Sequence, residues 1–166
     1  SAMLVTPYFA PGRKLRKALV HAAERGISVT LLIGVGQFVM QDAVAQSFYP
    51  RLVRAGVRIV EYRRTQLHGK VAAIDDDWAT VGSSNFDGLS LFVNHEANII
   101  VRDREFATSL RDYILRGVAE ALAGRSYDIN DPLAPALARQ HQLADTAASA
   151  AAPRSRTRSS WARISS

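Results

Sequence analysis

A chain of 166 residues with 48% apolar content has room for one packed domain and a tail, but not for several domains. The absence of cysteine excludes a disulfide framework and a thiolate metal site, and no apolar run approaches the ~18 residues of a membrane-spanning helix. The net charge of +6 suits an anionic partner, lipid headgroup or nucleic acid, and residues 145–166 hold four of the basic groups against one acidic group.

The chain opens Ser1-Ala2-Met3 almost directly in a strand, which suggests a piece of something longer; no signal-peptide pattern is visible, and a cysteine-free chain suits the cytosol. Residues 3–9 read as a short apolar strand ended by Pro11-Gly12. Residues 13–25 read as a helix with Leu15, Ala18, Leu19 and Ala22 on one face, capped by Gly26. Residues 27–33 form a nearly continuous apolar run, the pattern of a strand buried on both faces. After a Gly34-Val35-Gly36 loop, residues 38–55 read as a second helix, interrupted by Pro50 and capped by Gly56, and 57–62 as the next strand.

The helix–glycine–strand pattern thus occurs twice. It predicts an α/β fold whose mixed, mainly parallel sheet is flanked by helices. Residues 67–74 and 78–81 then read as two strands joined at Asp75-Asp76-Asp77, a hairpin. Residues 86–93 read as a loop with a short helical turn, and 96–101 as a strand. Asp103 is placed to cap a helix over 104–122, with Phe106, Leu110, Ile114 and Val118 inward and Gly124 near its end. Beyond Asp131-Pro132 the composition changes. The expected division is a domain over 1–131 and a disordered basic tail over 132–166, whose Arg154, Arg156, Arg158, Arg163 and Trp161 are either merely solvated or a tether to an anionic surface.

The chemistry concentrates in the hairpin. His68, Lys70, Asp75, Gly82, Ser83 and Asn85 spell His-x-Lys-x4-Asp-x6-Gly-Ser-x-Asn. Folding about Asp76 sets position 68 opposite 84 and 70 opposite 82, so His68, Lys70, Ser83 and Asn85 converge at the open end. An imidazole can attack phosphorus or move a proton. An ammonium, a hydroxyl and a carboxamide can hold non-bridging oxygens as charge builds on them. Gly82 is expected to let a bound group approach the backbone. The bland alternative is an ordinary hairpin with scattered polar residues.

This stretch resembles the HKD signature of the phospholipase D superfamily at all six positions. Further pieces resemble the bacterial cardiolipin synthases: Thr6-Pro7-Tyr8-Phe9 with Pro11-Gly12, and the run from Trp78 to Asn85 continued by Asp87, Ser90-Leu91 and Asn94-x-Glu96-Ala97-Asn98. Members carry two such motifs in one site. Here a second His-x-Lys pair is absent, the other histidines being His21, His95 and His141. The resemblance therefore implies a phospholipase D-like half-domain, its second motif coming from a missing N-terminal half or from a homodimer.

The resemblance also implies a two-step phosphodiester exchange through a phosphohistidine, needing no cofactor and no metal. His68 would be the general acid/base and Lys70 would stabilise charge. Ser83 and Asn85 would bind phosphate oxygens, and Glu96 would orient the imidazole. Asp75 belongs to the motif's catalytic set by name, but the hairpin puts it at the far turn, where a structural role is expected. The three aspartates read as a solvated turn rather than a cation site. The implied partners are an anionic phospholipid (phosphatidylglycerol), an alcohol acceptor and the membrane surface, at the cytoplasmic face of the bacterial inner membrane. Nucleic acid ranks behind lipid. Two alternatives stay open: a phospholipase D or HKD nuclease acting as a homodimer, and an inactive half-domain.

Overall fold

The computed structural model describes residues 1–123. The expected tail, its boundary at 131 and Gly124 lie outside the described residues. The elements are β1 (Ala2–Thr6), α1 (Arg13–Glu24), β2 (Val29–Gly34), α2 (Val39–Arg54), β3 (Arg58–Tyr62), β4 (Val71–Ile74), β5 (Trp78–Gly82), α3 (Gly88–Phe92), β6 (Asn98–Val101) and α4 (Arg104–Ala123).

One six-stranded sheet runs in the order β3-β2-β1-β4-β5-β6. The two strand–helix–strand units generate the parallel pairs β1–β2 and β2–β3. No helix separates β3 from β4, and β4, β5 and β6 meander antiparallel. The sheet is mixed, as expected. Its parallel share is smaller than the repeat implied, because only the first half of the chain carries crossover helices.

Helices cover both faces. On one, α1 and α2 bury Leu19, Ala45, Tyr49 and Leu52 against Leu31, Ile33 and Ile59. On the other, α4 buries Ile114, Val118 and Ala121 against Val5, Leu32, Val60 and Ala73. All six residues of β2 are buried, because it lies between neighbours on both sides and under helices on both faces.

Gly26 (φ +83°) and Gly56 (φ +96°) end α1 and α2 in the left-handed conformation. Each is followed by an N–H that reaches back into the helix, Ile27 to Ala22 O at 3.1 Å and Val57 to Leu52 O at 3.0 Å. Asp103 caps α4, its Oδ1 accepting from Phe106 N at 2.8 Å. Pro50 does not end α2, which continues to Arg54 because Ala45, Tyr49 and Leu52 anchor the helix on both sides of it. Two inward assignments change. Phe106 is exposed and its neighbour Ala107 is buried, and Ala18 is exposed where Val20 is buried. The rest of each stripe holds, with Leu19 buried in α1 and Ile114 and Val118 in α4.

Ile114 is 2% exposed at the centre of the α4 contact. Ile114→Ala is expected to cost roughly 2–5 kcal/mol, read as a lowered midpoint in urea denaturation with an unchanged slope.

Candidate active site

β4 begins at Val71, later than the strand expected from residue 67. Its pairing with β1 stops at Val5–Val71, and Pro7, just beyond the end of β1, has no N–H with which to extend the ladder. His68 and Lys70 therefore stand in the irregular segment leading into β4, rather than on one face of a strand. The hairpin register nonetheless persists past the strand end. Val71 pairs with Val81 and Ile74 with Trp78, and Gly82 N donates to Lys70 O at 3.1 Å. Lys70 is thus opposite Gly82, and Ser83 follows directly.

Lys70 Nζ donates to His68 O at 3.0 Å, folding the ammonium back over the backbone of its motif partner. Partial loss of solvent lowers the Lys70 pKa, against the Glu96 carboxylate, which raises it. His68 is exposed. It lines a cleft of about 340 Å³ between the segment before β4 and α4, walled also by Leu67, Leu110, Tyr113, Ile114 and Arg116.

Ser83 is the most constrained of the four groups. Its N–H donates to Ala97 O at 2.9 Å, and its Oγ accepts from Ala97 N at 3.0 Å and donates to the Glu96 carboxylate. That bond is the main reason the Glu96 carboxyl lies below the usual range, with Asn94, Ser90 and the Lys70 charge adding. Glu96 lies just before β6 and is tied to Ser83. Among the described residues no hydrogen bond joins it to His68. Asn85 Oδ1 is buried with no donor facing it.

Gly82 serves the scaffold. A Cβ there would lie 2.0 Å from Asn98 Oδ1 and 2.5 Å from Ala97 O, so the segment entering β6, rather than a ligand, takes the space. Asp75 is not brought to the site. It sits at the hairpin turn with φ +50°, roughly 13 Å from the start of β4 at ~3.3 Å per residue. Its Oδ1 accepts from the Ser1 amino group at 2.5 Å, while Asp76 pairs with Arg111 of α4.

Sequence reasoning did not find the supports beneath the site. Asn98 Nδ2 donates to Ser84 Oγ at 2.6 Å, joining β6 to the residue between Ser83 and Asn85. Thr6 Oγ1 donates to Tyr8 O at 2.7 Å and accepts from Phe86 N at 3.3 Å, tying the end of β1 to the segment after Asn85. These partners are 14 and 80 residues apart, and no local pattern marks such pairs.

The family described as "Cardiolipin synthase, PLD-like domain" matches residues 1–117. The chain belongs to this phospholipase D-like family of cardiolipin synthases. It is 50% identical over 111 residues to cardiolipin synthase B of Salmonella typhi, covering 66% of this chain and 27% of the relative. It is 48% identical over 120 residues to cardiolipin synthase B of Escherichia coli K12, covering 72% of this chain and 29% of the relative. The chain thus spans less than a third of the length of these relatives. Its fold is shared by Nuc of Salmonella typhimurium, a phospholipase D family member, with a TM-score of 0.61 at 22% identity, covering 76% of this chain and 80% of that one.

Because Ser83 supplies the leading stabilisation of the Glu96 carboxylate, Ser83→Ala is expected to move its pKa up toward the ordinary ~4.3. An NMR pH titration of the Glu96 side chain reads this directly. The depressed folded-state pKa means that the contribution of Glu96 to stability is full above ~4.3 and is lost as pH falls through the folded value; in Ser83→Ala that acid-side loss shrinks.

Proposed function

We propose that this chain is the second-motif half of a cardiolipin synthase-type phosphatidyltransferase, exchanging phosphodiesters at a membrane surface through a phosphohistidine. The observation that carries the reading is a half-site. Lys70 lies opposite Gly82, next to Ser83, with His68 two residues before it at the strand ends of the sheet, and the sequence holds no second His-x-Lys pair.

The proposed first step transfers the phosphatidyl group. A histidine of the partner motif attacks the phosphorus of phosphatidylglycerol, its P–O bond to the leaving glycerol breaks, and His68 protonates that oxygen. In the second step His68 takes the hydroxyl proton of a second phosphatidylglycerol. The resulting oxygen attacks phosphorus, and the P–N bond breaks to release cardiolipin and the free histidine. Lys70 holds the non-bridging oxygens, where charge builds in both transition states. Asn85 adds a hydrogen bond, while Ser83 donates to phosphate only by giving up Glu96. Its proton therefore passes between carboxylate and substrate, and the released Glu96 charge faces Lys70.

The cleft beside His68 favours lipid over nucleotide: Leu67, Leu110, Ile114 and Tyr113 suit an apolar substituent, with Arg116 as a phosphate partner. The other motif requires a docking face, and β6 offers one. This edge strand exposes Ile99 (69%) and Ile100 (62%), which point to opposite faces of the sheet. A second copy or an N-terminal half covering them brings its own motif beside Ser83. We place the chain peripherally, on the cytoplasmic face of a bacterial inner membrane, where an anionic phospholipid substrate would meet it; no described helix is long and apolar enough to cross a membrane.

The test pairs mass in solution with turnover. Light scattering at several concentrations should give a dimer, and mass spectrometry should detect cardiolipin formed from phosphatidylglycerol. His68→Ala is expected to lower turnover roughly 10²–10⁴-fold without changing the mass. A monomer that turns over nothing until an N-terminal half is supplied assigns the partner motif to that half. Release of phosphatidic acid in place of cardiolipin defeats the transferase reading in favour of hydrolysis.

A further inference from the structure

We propose that the sheet edge carrying His68 and Lys70 docks onto an anionic lipid bilayer, with Phe38, Val39 and Met40 entering the interface and Arg13, Lys14 and Lys17 meeting headgroup phosphates. The inference rests on the lipid reading above and adds the contact surface to it.

Topology puts these groups on one edge. α1 and α2 begin where the parallel strands β1 and β2 end. β4 enters from that same edge, since Val71 lies opposite Val5 near the end of β1. The first turns of both helices therefore flank the segment that holds His68 and Lys70.

The entry to α2 is apolar and exposed among the described residues. Val39 is 86% exposed and Met40 81%, and Phe38 before them and Val44 after them are exposed as well. Single exposed apolar residues are ordinary, but three in succession at the tip of a turn are not. This turn is also built rather than loose. Asp42 Oδ2 accepts from Gly36 N at 2.8 Å, and Gln41 N and Asp42 N both donate to Phe38 O at 3.0 Å. The Phe38 ring rests against Tyr8, with centroids 6.0 Å apart. The helix turns Ala45, Tyr49 and Leu52 to the sheet, which leaves Val39 and Met40 exposed among the described residues.

The entry to α1 is cationic in a way that its own helix disfavours. Arg13, Lys14, Arg16 and Lys17 fall within five residues, with no acidic residue in the first turn and no side-chain cap from Gly12. Cations at a helix N-terminus oppose the macrodipole, and the like-charged Arg13 and Lys17 lie one turn apart. Among the described residues none of the four has a carboxylate partner; the ion pairs lie at Ser1–Asp75, Arg63–Glu61 and around Arg111. Arg16 is steadied by Phe48, 4.8 Å from its ring centroid, and its Nε is buried without a partner. With Arg13, Lys17 and Arg51 it lines a pocket of about 230 Å³, room for a phosphate. An anionic surface relieves both local penalties.

An apolar tip and a cationic first turn at the same end of the parallel strands are the signature of an interfacial contact with anionic lipid. A partner half-domain has its own place on β6, at the far end of the sheet from β2 and β3.

The test is flotation of the full chain with phosphatidylglycerol vesicles and with phosphatidylcholine vesicles. Wild type should float with the former, and not with the latter. Val39→Asp with Met40→Asp, and separately Lys14→Glu with Lys17→Glu, should each weaken vesicle affinity by about tenfold or more. Circular dichroism melting checks folding; if the aspartate pair fails to fold, Val39→Ser with Met40→Ser replaces it. The proposal is overturned if wild type does not float, or if the aspartate pair floats like wild type. It is also overturned if that pair lowers the mass in solution, because a protein partner then covers the turn. Vesicle binding is read without turnover. A chain that floats as described but forms no cardiolipin, even with an N-terminal half supplied, therefore overturns the transferase reading and leaves the docking edge standing.

Discussion

The antiparallel pairing of β4 with β1 is the contact on which the site depends. Val5 lies opposite Val71, and the ladder runs down to Ala2 opposite Ile74. That pairing brings the chain into β4 from the edge where β1 leaves the sheet. His68 and Lys70 are thereby delivered beside the ends of the parallel strands, in the place where open α/β sheets gather ligands. The end of the pairing matters as much as its presence. Pro7 cannot extend the ladder, so the residues before Val71 are released from strand geometry. Lys70 uses that freedom to fold back onto His68 O.

Around this entry point the polar groups form a chain of competing bonds rather than a set of free ligands. Ser83 spends its proton on Glu96, and Glu96 in turn offsets the cost of partly burying Lys70. Asn85 keeps a buried oxygen without a donor. In the proposed reaction an arriving phosphate takes Ser83 from Glu96, and the second imidazole comes from the partner motif. The isoleucines of β6 exposed among the described residues and the single His-x-Lys pair are the two observations behind the proposed partner motif.

The two ends of the sheet divide the remaining surface. β6 presents isoleucines on both faces at one end, while the first turns of α1 and α2 present cations and an apolar tip over the other. Neither region is needed to hold the core, which closes between Leu31, Ile33 and Leu52 on one face and Leu32, Ile114 and Val118 on the other.

Much of this was legible in the sequence. Apolar period marked the helices and strands, the glycines at 26 and 56 marked two helix ends, and the aspartate run placed the hairpin turn so that Lys70 falls opposite Gly82. These are local properties, set by backbone sterics and by spacing along the chain. Four matters were decided only by tertiary structure. β4 starts at Val71 because a proline just beyond the end of the neighbouring strand cannot extend the ladder. Gly82 is needed because Ala97 and Asn98 occupy the space of its side chain. Glu96 faces Ser83 because β6 pairs with β5 in the register that sets Asn98 opposite Gly82. Phe106 faces outward because the packing of the first turn of α4 buries Ala107 instead. In each case the deciding contact comes from a segment distant in sequence, and spacing along one segment carries no information about what packs against it.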